Sequence, residues 1–84
     1  MDIQATIKDY VVTTFLDGNA EGLTPSTSLF DLGILDSVNL LKLVEFLEQK
    51  FSIQVEDKEF VAEYFADLNR IEKFVTLKLK EKQK

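Results

Sequence analysis

Between Ser37 and Phe51 the apolar residues Leu40, Leu43, Val44, Leu47 and Phe51 fall on one stripe when the chain is wound at about 100° per residue. Such a stripe has to be covered, so this segment reads as a helix that faces a core and cannot stand alone. Asp36, directly before it, carries the side chain of an N-cap. The same winding puts Ser37, Leu41, Glu45 and Glu48 on an adjoining face, Phe46 beyond the other edge of the stripe, and Val38 roughly opposite it. Apolar side chains are therefore left over once the stripe is covered.

Three further segments can supply the cover. A first helix is expected over Ile3–Phe15, where Ile3, Ile7, Tyr10, Val11 and Phe15 recur mostly at three- and four-residue steps behind a capping Asp2. It closes at Asp17-Gly18-Asn19, with Gly18 free to take the left-handed conformation. Asp57 is read as the cap of a short helix bearing Phe60, Val61, Tyr64 and Phe65. Asp67 caps a last helix bearing Leu68, Ile71, Phe74, Val75 and one of Leu77 and Leu79. Lys78, Lys80, Lys82 and Lys84 fall at its end, where cations suit the helix dipole.

The connections differ sharply in length. Residues 18–36 hold all three glycines, the single proline and the polar run Thr24-Pro25-Ser26-Thr27-Ser28. Leu23, Leu29, Phe30, Leu32, Ile34 and Leu35 are spaced through it as apolar anchors, and a short helical turn is expected at 28–32. Loops longer than ~12–15 residues are uncommon in compact domains and tend to carry function. After Phe51, Ile53 and Val55 alternate with polar residues as in a strand, but no second strand exists to pair with them. We read an extended connector that plugs both into the core. The expected fold is all-α: a small four-helix bundle of three long helices plus a short third helix, with a long loop between helices one and two, in one domain over 1–84.

What the chain lacks narrows its chemistry. There is no Cys, His or Trp, so thiol nucleophiles, imidazole bases and the usual zinc ligand sets are missing. Carboxylates are plentiful, yet no nucleophile is paired with a base, and an enzyme with its own catalytic residues is not expected. Fifteen acidic against ten basic residues give a net charge of −5, which argues against nucleic acid and for basic partners. No apolar run approaches the ~20 residues of a membrane span, and residues 1–8 do not resemble a signal sequence. A soluble, cytoplasmic monomer without membrane insertion is expected.

Two clusters invite over-reading. Glu56, Asp57, Glu59 and Glu63 lack the glycine turn and alternating oxygen ligands of a calcium loop, and a solvated helix start accounts for them better than a metal site. Phe60, Tyr64, Phe65 and Phe74 could line a channel but read as ordinary core.

The run Gly33-Ile34-Leu35-Asp36-Ser37-Val38 is different, because it sets one hydroxyl at the mouth of the amphipathic helix. Unpaired amides and a positive dipole end favour an anion there, so a phosphodiester on Ser37 would be well placed. On the Asp-Ser pair alone, simple helix capping is the better account.

The wider context changes that balance. Ser28-Leu29-Phe30-Asp31-Leu32-Gly33-Ile34-Leu35-Asp36-Ser37, an amphipathic helix, and Leu47-Glu48-Gln49-Lys50-Phe51-Ser52-Ile53 with Gln54-Val55 resemble the acyl and peptidyl carrier protein family in order, spacing and residue type. The resemblance spans essentially the whole chain. It implies that Ser37 accepts 4'-phosphopantetheine from coenzyme A through a separate, magnesium-using phosphopantetheinyl transferase, and that Asp36 helps present it. The arm's thiol would then carry acyl or aminoacyl groups as thioesters, with the protein supplying position and recognition. Partner contact is expected at Val38 and Leu41, as the resemblance implies, and at Glu45 and Glu48, which share the face of Leu41; packing under the long loop is the alternative for Val38 and Leu41.

Departures from the commonest pattern narrow the type. Fatty-acid carriers typically show Gly-Ala-Asp-Ser-Leu and a strongly acidic second helix. Here Ile34-Leu35 lengthens the spacing by one residue, and Asn39, Lys42 and Gln49 dilute the acidity. The Gly-x-Leu-Asp-Ser form and Glu59-Phe60 look more like stand-alone carriers loaded by adenylating ligases, including the D-alanyl carrier group, whose cargo passes to downstream transferases. Two alternatives stand beside this reading: a fatty-acid synthesis carrier, and an unmodified helical interaction module that binds a partner helix through Val38, Leu41 and Phe46.

Overall fold

The computed structural model describes residues 2–82 and contains, in chain order, α1 (Ile3–Phe15), α2 (Ser37–Phe51), a 3-10 turn (Asp57–Glu59), α3 (Ala62–Phe65) and α4 (Leu68–Lys82). Among the described residues there is no strand, and the all-α bundle of three long helices and one short one is as expected. Lys84 lies outside the described residues.

Each long helix starts on an aspartate. Asp2 accepts a hydrogen bond from the Ala5 amide (3.1 Å), Asp36 from Asn39 (2.8 Å) and Asp67 from Arg70 (2.8 Å), each satisfying one amide that has no partner inside the helix. α1 closes at the expected cluster with Gly18 left-handed (φ 85°), and Asp17 is left-handed as well (φ 52°). The Gly18 amide reaches back six residues to the Val12 carbonyl (2.9 Å). α2 ends on Ser52, also left-handed at φ 54°, which turns the chain into the connector.

The core is one cluster. Ile7 and Val11 of α1, Leu43, Val44, Leu47 and Phe51 of α2, Phe65 of α3, and Leu68, Ile71, Phe74 and Val75 of α4 are buried together, while Leu40 is half-buried against them. Each full burial stabilises the fold by roughly 1.5–3 kcal/mol. α4 packs on α1 and α3 and more lightly on α2. Of the two leucines near its end, Leu79 is half-buried against the core and Leu77 is exposed. Ile53 and Val55 are both buried, with Gln54 and Glu56 outside, as an extended connector requires.

The long loop belongs to the core as much as the helices do. Leu23, Leu29, Ile34 and Leu35 are buried and Phe30 is half-buried. The Leu29 amide donates to the Ala66 carbonyl (2.7 Å) and the Asn69 amide to the Pro25 carbonyl (3.1 Å), which ties the loop to the junction of α3 and α4. The expected turn at 28–32 is present: the Leu32 amide donates to the Ser28 carbonyl and the Asp31 amide to Ser28 Oγ, both at 3.2 Å. Leu32, expected as an anchor, is instead about half exposed (51%).

The segment after the connector departs from the sequence reading. Asp57 does not cap a helix bearing Phe60 and Val61. Glu56 and Glu59 close a capping box around a 3-10 turn that begins at Asp57, and α3 starts only at Ala62 behind Val61, which has no capping side chain. Reciprocal Glu-Glu capping satisfies the turn locally, so the chain leaves it after Glu59 instead of continuing as a helix. Of the aromatic set, Phe65 and Phe74 are core, Phe60 is half-buried, and Tyr64 lies at the surface, stacked on Phe74 with centroids 5.0 Å apart.

Candidate functional site

Ser37 is the first residue of α2 and is exposed. Asp36 before it is extended (φ −124°, ψ −172°), so its carboxylate folds over the first turn onto the Asn39 amide while Ser37 faces outward. The Asp36 carbonyl takes the Leu40 amide (2.8 Å). Among the described residues, the amides of Ser37 and Val38 have no protein acceptor and the Ser37 hydroxyl has no protein partner. An exposed, uncommitted hydroxyl beside free amides at a positive dipole end fits a covalently attached phosphodiester.

The approach to Ser37 is built by the loop. Gly33 stands at φ 75°, a region that only glycine adopts without strain, and the turn it makes sends Ile34 and Leu35 inward, each 5% exposed. The amides of Ile34 and Leu35 both donate to the Leu29 carbonyl (3.0 and 3.2 Å). The Asn39 side chain donates from Nδ2 to the Ile34 carbonyl at 2.7 Å, which joins the first turn of α2 to the loop. No feature of spacing or periodicity marks Asn39 in the sequence; the bond follows from the Gly33 turn bringing the Ile34 carbonyl under it.

Val38 and Leu41 are 62% and 50% exposed, so the loop does not cover them. Exposed Leu32, just before Gly33, adds a loop side chain to this surface, in contrast to the core anchor expected from its spacing. Glu45 is exposed. Glu48 is engaged within the fold: its Oε2 accepts the Val55 amide at 2.9 Å and anchors the connector. Phe46 is likewise spent, since its ring stacks on Tyr10 with centroids 4.0 Å apart.

Among the described residues there is no group of three or more His, Cys, Asp or Glu side chains placed to hold a metal ion, and no helix is long and apolar enough to cross a membrane. Glu59, in the acidic cluster, is bound by Lys78 (2.7 Å) instead.

Residues 6–75 match the family described as phosphopantetheine attachment site. The chain is 34% identical over 64 residues to a probable acyl carrier protein, PigG, of a Serratia species, covering 76% of this chain and 74% of that one. It is 34% identical over 71 residues to the D-alanyl carrier protein of Streptococcus suis, covering 84% of this chain and 87% of that one. Among solved structures it resembles a chain in a crystal structure described as that of an FAD-dependent dehydrogenase, with a TM-score of 0.74 and 25% identity over 82% of this chain and 97% of that one. A match over most of the chain, on a bundle whose α2 begins with an exposed serine, identifies this protein as a member of the phosphopantetheine-bearing carrier family, which holds acyl groups on 4'-phosphopantetheine and is not itself catalytic.

Proposed function

We propose that Ser37 is the attachment residue and that the chain, acting as one carrier domain, is a stand-alone carrier for aminoacyl or specialised acyl groups loaded by an adenylating ligase. The observation that carries the site is the exposed Ser37 hydroxyl at the first position of α2, free of protein partners and preceded by a capping aspartate. In the attachment step Ser37 Oγ forms an ester bond to the phosphorus of coenzyme A that bears the pantetheine arm. The bond from that phosphorus to 3',5'-ADP breaks, and the hydroxyl proton passes to a base on the transferase. Asp36 holds the first turn in register and sets a negative charge next to the hydroxyl, where a transferase-bound magnesium ion would be attracted. Once bound, the arm supplies a thiol on which cargo is carried as a thioester, a function this cysteine-free chain cannot provide from its own residues.

The likeness to D-alanyl carrier proteins supports an adenylating ligase as the loading partner. The likeness to a chain in a crystal structure described as that of an FAD-dependent dehydrogenase supports such a dehydrogenase as a second class of partner. Val38, Leu41 and Glu45, all exposed on or beside the face that bears Ser37, are the side chains proposed to meet these partners. The test is to incubate the phosphopantetheine-loaded protein with ATP and a panel of amino-acid and fatty-acid adenylating ligases and to read the intact mass. Gain of an aminoacyl or short specialised acyl group is expected. Loading by long-chain fatty-acid enzymes alone would replace this reading with the fatty-acid carrier.

A further inference from the structure

We infer that Asn39 is a positioning residue for phosphopantetheine attachment, locking the loop that presents Asp36 and Ser37 to the transferase; the inference rests on Ser37 being the attachment residue. Asn39 is bonded twice at the same turn. Its backbone amide is the donor to Asp36 Oδ1 at 2.8 Å, and its side-chain Nδ2 donates to the Ile34 carbonyl at 2.7 Å in a half-buried setting. The usual capping box returns the third-residue side chain to the amide of the capping residue. Here it returns to a carbonyl two residues earlier, so it grips the incoming loop and not only the helix end.

That grip completes a chain of contacts. Ile34 is held by Asn39 through its carbonyl and by the Leu29 carbonyl through its amide (3.0 Å), and Leu29 is held by Ala66 (2.7 Å). Both Ile34 and Leu29 are buried, so the loop is fixed to α3 at one end and to α2 at the other. Without the Asn39 side chain the Ile34 carbonyl loses its partner, and the stretch between Gly33 and Ser37 keeps its bonds to Leu29 and those of Asp36 to the first turn but loses the tie that fixes Ile34 to α2. The hydroxyl and the capping carboxylate are then in their presenting arrangement in only a fraction of molecules. A partner that binds this arrangement sees its apparent affinity reduced by that fraction, while the chemistry after binding is unchanged.

The experiment measures transfer of phosphopantetheine from coenzyme A to the wild type, Asn39→Ala, Asn39→Asp and Asn39→Gln, resolving KM for the carrier from kcat. Phe46→Leu, which loosens the far side of α2, serves as a control for lost stability. Loss of one hydrogen bond predicts a rise in KM of roughly five- to tenfold for Asn39→Ala, with kcat within about twofold of wild type. Asn39→Asp, which sets an acceptor against the Ile34 carbonyl, is predicted to be at least as impaired, and Asn39→Gln, which keeps a donor, to recover part of the loss. Phe46→Leu keeps the wild-type KM. Should Asn39→Ala fail to fold by circular dichroism, the near-isosteric Asn39→Asp carries the test. Asn39 variants that show the wild-type KM, or a KM no higher than that of Phe46→Leu at equal loss of stability, would overturn the positioning role alone. Wild-type protein that takes no phosphopantetheine, or takes it equally well as Ser37→Ala, would overturn the Ser37 reading and this inference together.

Discussion

Lys78 of α4 and Glu59 of the 3-10 turn form an ion pair at 2.7 Å, with only 13% and 16% of their side chains exposed. Glu59 Oε1 also accepts the Glu56 amide at 2.9 Å, so one carboxylate closes the turn and fastens it to the last helix. Lys78 in turn lies 5.5 Å from the centroid of the Phe74 ring. The lysine expected to complement the dipole at the end of α4 thus serves a tertiary contact.

The pair makes stability depend on pH. Burial by itself would raise the Glu59 carboxyl, but the hydrogen bond from Lys78, the Glu56 amide and the charges of Lys78 and Lys58 outweigh it and hold Glu59 below its ordinary value of 4.5. A carboxyl lowered on folding contributes stability that is fully present above its unfolded pKa and is lost as the pH falls through the folded value. Thermal melts of the wild type are therefore expected to lose stability below about pH 4.5 more steeply than those of Glu59→Gln. At neutral pH, Lys78→Met is expected to cost about 1–2 kcal/mol, between the values for exposed and buried pairs.

Phe46 and Tyr10 stack at 4.0 Å with an interplanar angle of 13°, and the Tyr10 hydroxyl donates to the Lys42 carbonyl at 3.2 Å. Phe46→Ala should lower stability by about 2–3 kcal/mol, measured by urea unfolding. Once refolded it should accept phosphopantetheine as wild type does. An unmodified interaction module using Phe46 as a contact would instead lose partner binding with little change in stability.

The proposed function gives Asp36 a second role, toward the transferase, beside the observed cap on the Asn39 amide. Asp36→Ala removes the cap on the Asn39 amide and is expected to cost about 1 kcal/mol, or about 4–8 °C in Tm. Asp36→Asn keeps a capping oxygen and should melt near wild type. It should nonetheless be modified roughly 10- to 100-fold more slowly by the transferase, since it lacks the charge. Equal modification rates for Asp36→Asn and wild type would reduce Asp36 to a cap.

Leu41 is half exposed and unsupported by the loop. Leu41→Asp is expected to leave stability within about 0.5 kcal/mol of wild type while weakening loading by the ligase roughly tenfold, as loss of an apolar contact in a partner interface would. A large fall in Tm would assign Leu41 to the fold instead.

Periodicity and capping residues made the three long helices legible, because a stripe such as Leu43-Val44-Leu47-Phe51 has one way to be buried and aspartates at 2, 36 and 67 mark where each helix begins. The place of Ser37 at the start of α2 was legible for the same reason, whereas its proposed role as attachment residue rests on the resemblance of residues 28–55 to the carrier family, since an Asp-Ser pair alone reads as plain capping. The third helix was misread because Asp57 resembles a cap, while the reciprocal Glu56-Glu59 bonds that shorten the turn depend on side-chain rotamers. Leu32 was misassigned because apolar spacing in a loop does not say which side faces in; the Gly33 turn decides that. The ties of Glu48 to Val55 and of Asn39 to Ile34 join segments by geometry that no periodic pattern records.

The most direct measurement is the intact mass of the protein, and of Ser37→Ala, before and after incubation with coenzyme A, magnesium and a broad-specificity phosphopantetheinyl transferase. Fragment masses would then locate the modification. Attachment at Ser37 predicts a gain of one phosphopantetheine on the peptide containing Ser37, and no gain on a Ser37→Ala protein that remains helical by circular dichroism. No gain on the wild type with several transferases, or an equal gain on Ser37→Ala, would contradict it.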